Sequence, residues 1–182
     1  MIAFSPRYKR AFAVVIGEEG GLSLDRADAG NWTGGAVGKG VLRGTKYGIS
    51  AASFPTLDIP ALTLDEARAL YLVKYWNALA AEEMPAPVGL LAFDTGVVQG
   101  VGFAARAIQD AVGVRDDGVI GPQTIGAVTR DKDITGLLVN IACRRALWIA
   151  QSAQESIFGA GWFRRLLHVV LLSVTPGDIP HA

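Results

Sequence analysis

Glu19 and Asp28 are the residues of this chain whose types and setting could do chemistry. Tyr8, Phe12, Val15, Ile16 and Glu19 share one face of a 3.6-residue repeat, so a carboxylate is expected at the end of an apolar helix face, just before Gly20-Gly21. Unpaired carbonyls at a helix C-terminus, and partial burial beside Phe12 and Ile16, both disfavour the ionised form. A general acid working near neutral pH needs that protonated form. Asp28 follows nine positions on, in the polar loop Asp25 to Thr33, among backbone N–H groups that solvate a carboxylate. Two carboxyl groups in contrasting settings suit hydrolysis of a glycosidic bond, where one protonates the leaving oxygen and the other acts across the bond. The plainer reading makes Glu19 a local cap or ion-pair partner and the aspartates turn formers.

The elements that must carry these residues are mostly helical. Ser5-Pro6 places an N-cap and a first-turn proline ahead of the first helix. From Leu22 to Ser50 the helical period disappears in a glycine-rich stretch, with a short hairpin expected near Gly48-Ile49-Ser50. Thr63-Leu64-Asp65-Glu66 is a capping box that starts a helix through about Asn77. Further helices are expected over about 88–98 and 102–112, from Pro122, and over about 134–156. Gly159 and Gly161 should break the last of these before a final helix over about 162–173. The fold class is therefore mainly α, with a small irregular or β-hairpin lobe.

Composition narrows the chemistry. Lys+Arg and Asp+Glu are both 17, which argues against a nucleic-acid partner held by a broad basic face. Arg144-Arg145 and Arg164-Arg165 could form a local basic patch, although such pairs are more often solvated helix faces. Cys143 alone cannot form an internal disulfide and is expected as a small buried hydrophobe. Two histidines, His168 and His181, give no three-ligand zinc site, and neither a metal nor an organic cofactor is expected. Gly35 to Gly40 resembles a phosphate loop only superficially, because Gly40 stands where a magnesium-binding hydroxyl is needed. The apolar runs Ala11 to Ile16 and Leu166 to Val174 are too short for a secretory leader or a membrane span, so no stable membrane insertion is expected.

Glu19-Gly20-Gly21, Asp25, Asp28, Gly30 and Thr45-Lys46-Tyr47-Gly48-Ile49-Ser50 resemble the signature of glycoside hydrolase family 108. That signature has a Glu-Gly-Gly motif, an Asp-Pro-x-Asp segment and a Thr-x-aromatic-Gly-Ile-Thr/Ser ending. Tyr75-Trp76 resembles the family as well. Phe93-Asp94-Thr95-Gly96 and the run Asp117 to Thr124 are similar to the peptidoglycan-binding region that usually follows. The resemblance spans about Phe12 to Arg165.

What the resemblance implies is N-acetylmuramidase activity in a lysozyme-like fold, of the kind found in phage endolysins and secretion-activator proteins. It makes Glu19 the catalytic acid. The order Glu, Asp, Thr also resembles the triad of phage-type lysozymes, with Asp28 and a threonine as partners. Asn31 to Gly44 looks like an insertion in the family pattern, so Thr45 and Thr33 compete for the third role; Thr45, ahead of the Tyr-Gly-Ile-Ser strand, is preferred. Asp25 is a turn or supporting residue that could exchange roles with Asp28. Trp32, Tyr47, Tyr75 and Trp76 are candidates for stacking on sugars, half of them better suited to a core. The glycan strand is expected between the small lobe and the helices, and carboxyl separation would decide inversion or retention.

The division expected is 1–86 catalytic, 87–175 helical and peptidoglycan-binding-like, and 176–182 tail. The protein should stay cytoplasmic until a holin or a secretion channel delivers it to the wall. The sequence leaves the oligomeric state open. The rival readings are a non-catalytic wall-binding or secretion-accessory module and a structural protein of a phage-like particle.

Overall fold

In the computed structural model, which describes residues 3–17, 21–152 and 155–175, the first helix is α1, Pro6–Val15. Ser5 caps it, its Oγ accepting from Tyr8 N at 3.0 Å. The helix ends at Val15, short of the expected Glu19, and Gly17 takes φ +79°, a left-handed conformation that stops a helix. The shared face predicted for Tyr8, Phe12 and Val15 does form, and all three are buried. Glu19 lies outside the described residues.

The chain forms two compact units. One is Phe4–Val15 with Leu72–Ala182, the other Ile16–Tyr71 with Met1–Ala3.

The larger unit is helical. After α1 it contains a π-helical segment, Leu72–Asn77, then α3, Ala86–Gln99, α4, Val101–Ala111, α5, Pro122–Arg130, α6, Ile134–Ala150, and α7, Glu155–Val174. Helix α3 is central, with every residue from Val88 to Gly96 buried, as its uninterrupted apolar sequence requires. Tyr8, Phe12, Trp76 and Phe93 form its aromatic core, with ring centroids 5.4–6.2 Å apart. Gly89 allows a close approach, since a Cβ there would lie 2.5 Å from the Ala81 carbonyl oxygen.

The α4–α5 connection is organised around Gln109, which is 1% exposed. Its amide nitrogen donates to Asp117 Oδ1 at 2.7 Å and Val119 O at 3.0 Å, and its oxygen accepts from Gly118 N at 2.9 Å. The Gln109 contact, with the Val119 amide, holds the Asp117 carboxyl below the usual carboxylate range. The Asp117 to Thr124 motif is thus occupied in satisfying a buried amide.

Helix α7 runs through Gly159 and Gly161, where a break was expected; the interruption falls earlier, after Ala150. Each helical glycine costs about 1 kcal/mol relative to alanine. Packing of α7 against both α3 and α6 offsets that local penalty. No helix among the described residues is long and apolar enough to cross a membrane. Cys143 is exposed on α6, contrary to the expectation of a buried residue.

The smaller unit holds a two-stranded antiparallel hairpin and one helix. Strands β1, Thr45–Lys46, and β2, Ile49–Ser50, pair in the register Thr45 to Ser50 and Lys46 to Ile49. Tyr47 and Gly48 form the turn, both at positive φ (51° and 72°), the conformation that matches the twist of a two-residue hairpin. Helix α2, Leu64–Tyr71, starts at the predicted capping box, with Thr63 N donating to Glu66 Oε2 at 2.8 Å and Glu66 N to Thr63 Oγ1 at 3.3 Å. Those contacts, the backbone one first, hold the Glu66 carboxyl below its ordinary value. The mainly helical architecture with a small hairpin lobe agrees with the class read from the sequence.

Candidate active site

The segment that carries Asp25, Asp28 and Thr45 is stitched together by Asn31, a residue the sequence reading assigned no role. Asn31 is fully buried. Its Nδ2 donates to Asp25 O at 2.9 Å, and its carbonyl accepts from both Arg43 N and Gly44 N at 3.0 Å. Its own amide donates to Asp28 O at 3.2 Å. One side chain and one peptide unit therefore tie the acidic loop to the residues that lead into β1. An asparagine that follows a glycine in a polar loop reads as a turn former in sequence, which hid this role.

Asp28 is exposed and caps a single turn of 3₁₀-helix, Ala29–Asn31, its Oδ1 accepting from Gly30 N at 2.8 Å. Its second oxygen is left for other partners. Asp25 makes the equivalent turn one step earlier, with Oδ1 accepting from Ala27 N at 2.9 Å. Thr45 is fixed through its backbone, which exchanges two hydrogen bonds with Ser23 at 2.9 and 3.0 Å. Among the described residues its hydroxyl has no hydrogen-bond partner. Thr33 differs: its Oγ1 accepts from Val41 N at 2.8 Å and closes the inserted loop. This difference favours Thr45 over Thr33 as a residue with a hydroxyl to offer a ligand.

Trp32 is half-buried, with its indole N–H on the Arg26 carbonyl at 3.0 Å and the Arg26 guanidinium 6.0 Å from the ring centroid. Tyr47 lies in the hairpin turn, beside the Lys46 ammonium at 5.5 Å, and its carbonyl accepts from Tyr71 Oη at 3.2 Å. In the larger unit Tyr75 is half-buried in the π-helical segment, and burial raises its phenol above the ordinary value. Trp76 is 2% exposed, packed by Tyr8 and Phe93, with its indole N–H on Glu82 at 3.0 Å. It is a core residue, and the sugar-stacking expectation does not hold for it.

The structure also corrects the reading of the arginine pairs. Arg145 is buried against Asp94, Arg144 pairs with Asp110 and Asp116, and Arg165 reaches Asp94 as well. Only Arg164 has the exposed character expected. Asp94 and Thr95, from the motif similar to a wall-binding region, are both fully buried.

Asp25, Asp28, Trp32, Thr45 and Tyr47 thus fall in the smaller unit, whereas Tyr75 and Trp76 belong to the larger one. Residues 12–100 match the family model of glycosyl hydrolase 108. The matched segment takes in every candidate from Glu19 to Trp76 and ends just past α3. A solved structure, that of SagA from Brucella abortus, is similar over 92% of this chain and 93% of its own, with a TM-score of 0.75 and 27% identity. That likeness extends through the helices beyond the glycosyl hydrolase 108 segment and bears out the mainly α, lysozyme-like fold. Comparison with curated proteins gave no match.

Proposed function

We propose that this chain is a peptidoglycan hydrolase that cleaves the β-1,4 bond between N-acetylmuramic acid and N-acetylglucosamine. The observation that carries the reading is the glycosyl hydrolase 108 match over residues 12–100, which encloses the Glu, Asp and Thr candidates in order. In this reading Glu19 protonates the glycosidic oxygen. Asp28 activates a water or stabilises the positive charge that develops on the sugar, and Thr45 places the water. Exposure of Asp28 and the unengaged hydroxyl of Thr45 support those roles. Trp32 and Tyr47 supply aromatic faces to the sugar, and Asp25 supports the acidic turn. Residues 1–86 act as the catalytic region and 87–175 as a helical wall-binding region. Delivery to the wall is by a holin or a secretion channel, in the manner of an endolysin.

The two aspartates give the test. Asp28→Asn and Asp25→Asn both keep the Oδ1 that accepts a backbone amide, so each turn survives while its charge is lost. Asp28→Asn is expected to lower release of reducing sugar from purified wall by about 10²-fold or more, and Asp25→Asn by less than about tenfold. The reverse ranking exchanges the two roles. Full activity in both variants removes the aspartates from the chemistry.

A further inference from the structure

Arg7 and Arg10 stand three positions apart on α1 and line one cavity of about 40 Å³ in the larger unit. Arg7 donates from Nη1 to the Glu82 carbonyl at 2.8 Å and from Nη2 to the Met84 carbonyl. Arg10 donates from Nη2 to the carbonyls of Leu172 and Thr175, at 3.1 and 2.9 Å. Each guanidinium therefore closes the C-terminal end of another element, the 3₁₀ turn Ala81–Glu83 for Arg7 and α7 for Arg10. In both, the Nε–H is buried and has no hydrogen-bond partner among the described residues.

Capping accounts for the Nη groups but not for the charge or for two buried donors left unpaired, which protein interiors rarely tolerate. Among the described residues neither arginine forms an ion pair. Glu82, whose carbonyl Arg7 holds, turns its carboxylate to Ser5 Oγ at 2.7 Å and to Trp76 Nε1 at 3.0 Å. A helix C-terminus carries about half a negative charge, so two of them leave the guanidinium pair with roughly one positive charge. Helix α3 opens at the same cavity. Its first residue, Ala86, lines the wall, and its first turn has neither a side-chain cap nor an acidic residue, so the positive end of its dipole adds to the potential there. The other walls are apolar, from Ala11, Trp76 and Leu90, and Ser173 spends its hydroxyl proton on the Val170 carbonyl at 2.7 Å. One water needs roughly 10–15 Å³ of such space, so the cavity can take the three heavy atoms of a carboxylate. Ala86 is exposed and both arginines are half-buried, which opens the cavity to solvent.

We infer that this cavity binds a small monocarboxylate, whose oxygens accept from the Nε–H groups of Arg7 and Arg10 while its short apolar group lies against Ala11, Leu90 and Trp76. Guanidinium groups suit the planar oxygens of a carboxylate, and a single negative charge matches the single positive charge left over. A phosphate dianion carries more charge than the site offers and has no apolar part to meet its walls. The inference is independent of the reading of the chain as a glycan hydrolase.

The test measures Tm of the full chain at neutral pH in sodium acetate, against sodium chloride of equal ionic strength and with sodium phosphate as a second anion. A Kd on the order of 1 mM is expected for so small a ligand. Acetate at about 100 mM should then raise Tm by about 5–10 °C over chloride. Saturation-transfer NMR should show the acetate methyl group in contact with the protein. Arg10→Gln removes a guanidinium and its charge; it should abolish the acetate shift and lower the starting Tm through the lost contacts to α7. Ala86→Leu covers the mouth with both arginines kept, and should fold as the wild type does while losing the shift. A wild-type Tm that responds alike to acetate and chloride overturns the inference and makes the arginines helix caps only. A larger shift with phosphate than with acetate overturns the carboxylate assignment. An undiminished acetate shift in Ala86→Leu or Arg10→Gln puts the bound acetate elsewhere and overturns the inference too.

Discussion

Replacing Glu19 with glutamine is expected to leave the fold and wall binding intact while lowering release of reducing sugar by about 10²–10⁴-fold or more. The amide is nearly isosteric with the carboxyl group and cannot donate a proton to the departing glycosidic oxygen. Without that proton the leaving group departs as an alkoxide, which the oxocarbenium-like transition state cannot tolerate. Wall binding is expected not to change, because the substitution removes a proton donor and not a side chain's shape. The measurement is paired: reducing ends released per unit time, and protein bound to sedimented wall. Activity within about tenfold of wild type would remove Glu19 from the chemistry.

The second large effect is on stability. Asp94→Asn leaves the Arg145 guanidinium buried without a counter-charge, and burial already pulls that group below its ordinary value while Asp94 pushes back. Removing one partner of a buried ion pair costs about 3–5 kcal/mol. A domain of this size loses about 2–4 °C of Tm per kcal/mol, so a fall of roughly 6–20 °C is expected in thermal unfolding. Replacing both members, as in Asp94→Leu with Arg145→Met, should recover much of that loss, since apolar groups of similar volume often match a buried pair. A drop of under about 1 kcal/mol for Asp94→Asn would show that water reaches the cluster and screens it.

How far the sequence could be read depends on what each element rests on. Local signals were legible: the Thr63 to Glu66 capping box and the Ser5-Pro6 start of α1 each depend on neighbours in the chain. Tertiary effects were not. Helix α7 continues through Gly159 and Gly161 because packing on α3 and α6 outweighs local propensity, and no pattern in 155–174 reports that packing. The cluster of Asp94, Arg145 and Arg165 joins residues 51 and 71 positions from Asp94, beyond the reach of periodicity arguments. A clue was present nonetheless. Asp94 interrupts the run Leu90-Leu91-Ala92-Phe93, and adjacent arginines on a helix point about 100° apart, so one of each pair could face inward.

The candidate site divides in the same way. Asp28 and Thr45 could be singled out as candidates because the resemblance names their types and order. The part played by Asn31 was not legible, because it lies in tertiary contacts with backbone atoms of four other residues, Asp25, Asp28, Arg43 and Gly44. Trp76 was legible as important but not as core, since an aromatic of that size serves a sugar face and a protein interior equally well.

The central claim is that this chain cuts the glycan backbone of peptidoglycan at muramic acid. It is tested most directly by digesting purified peptidoglycan, reducing the new ends with borohydride, and identifying the reduced sugar by mass. The account predicts N-acetylmuramitol at every new end, with none formed by Glu19→Gln. New ends carrying N-acetylglucosaminitol, new amino termini without new reducing sugar, or wall bound but left uncut would contradict it.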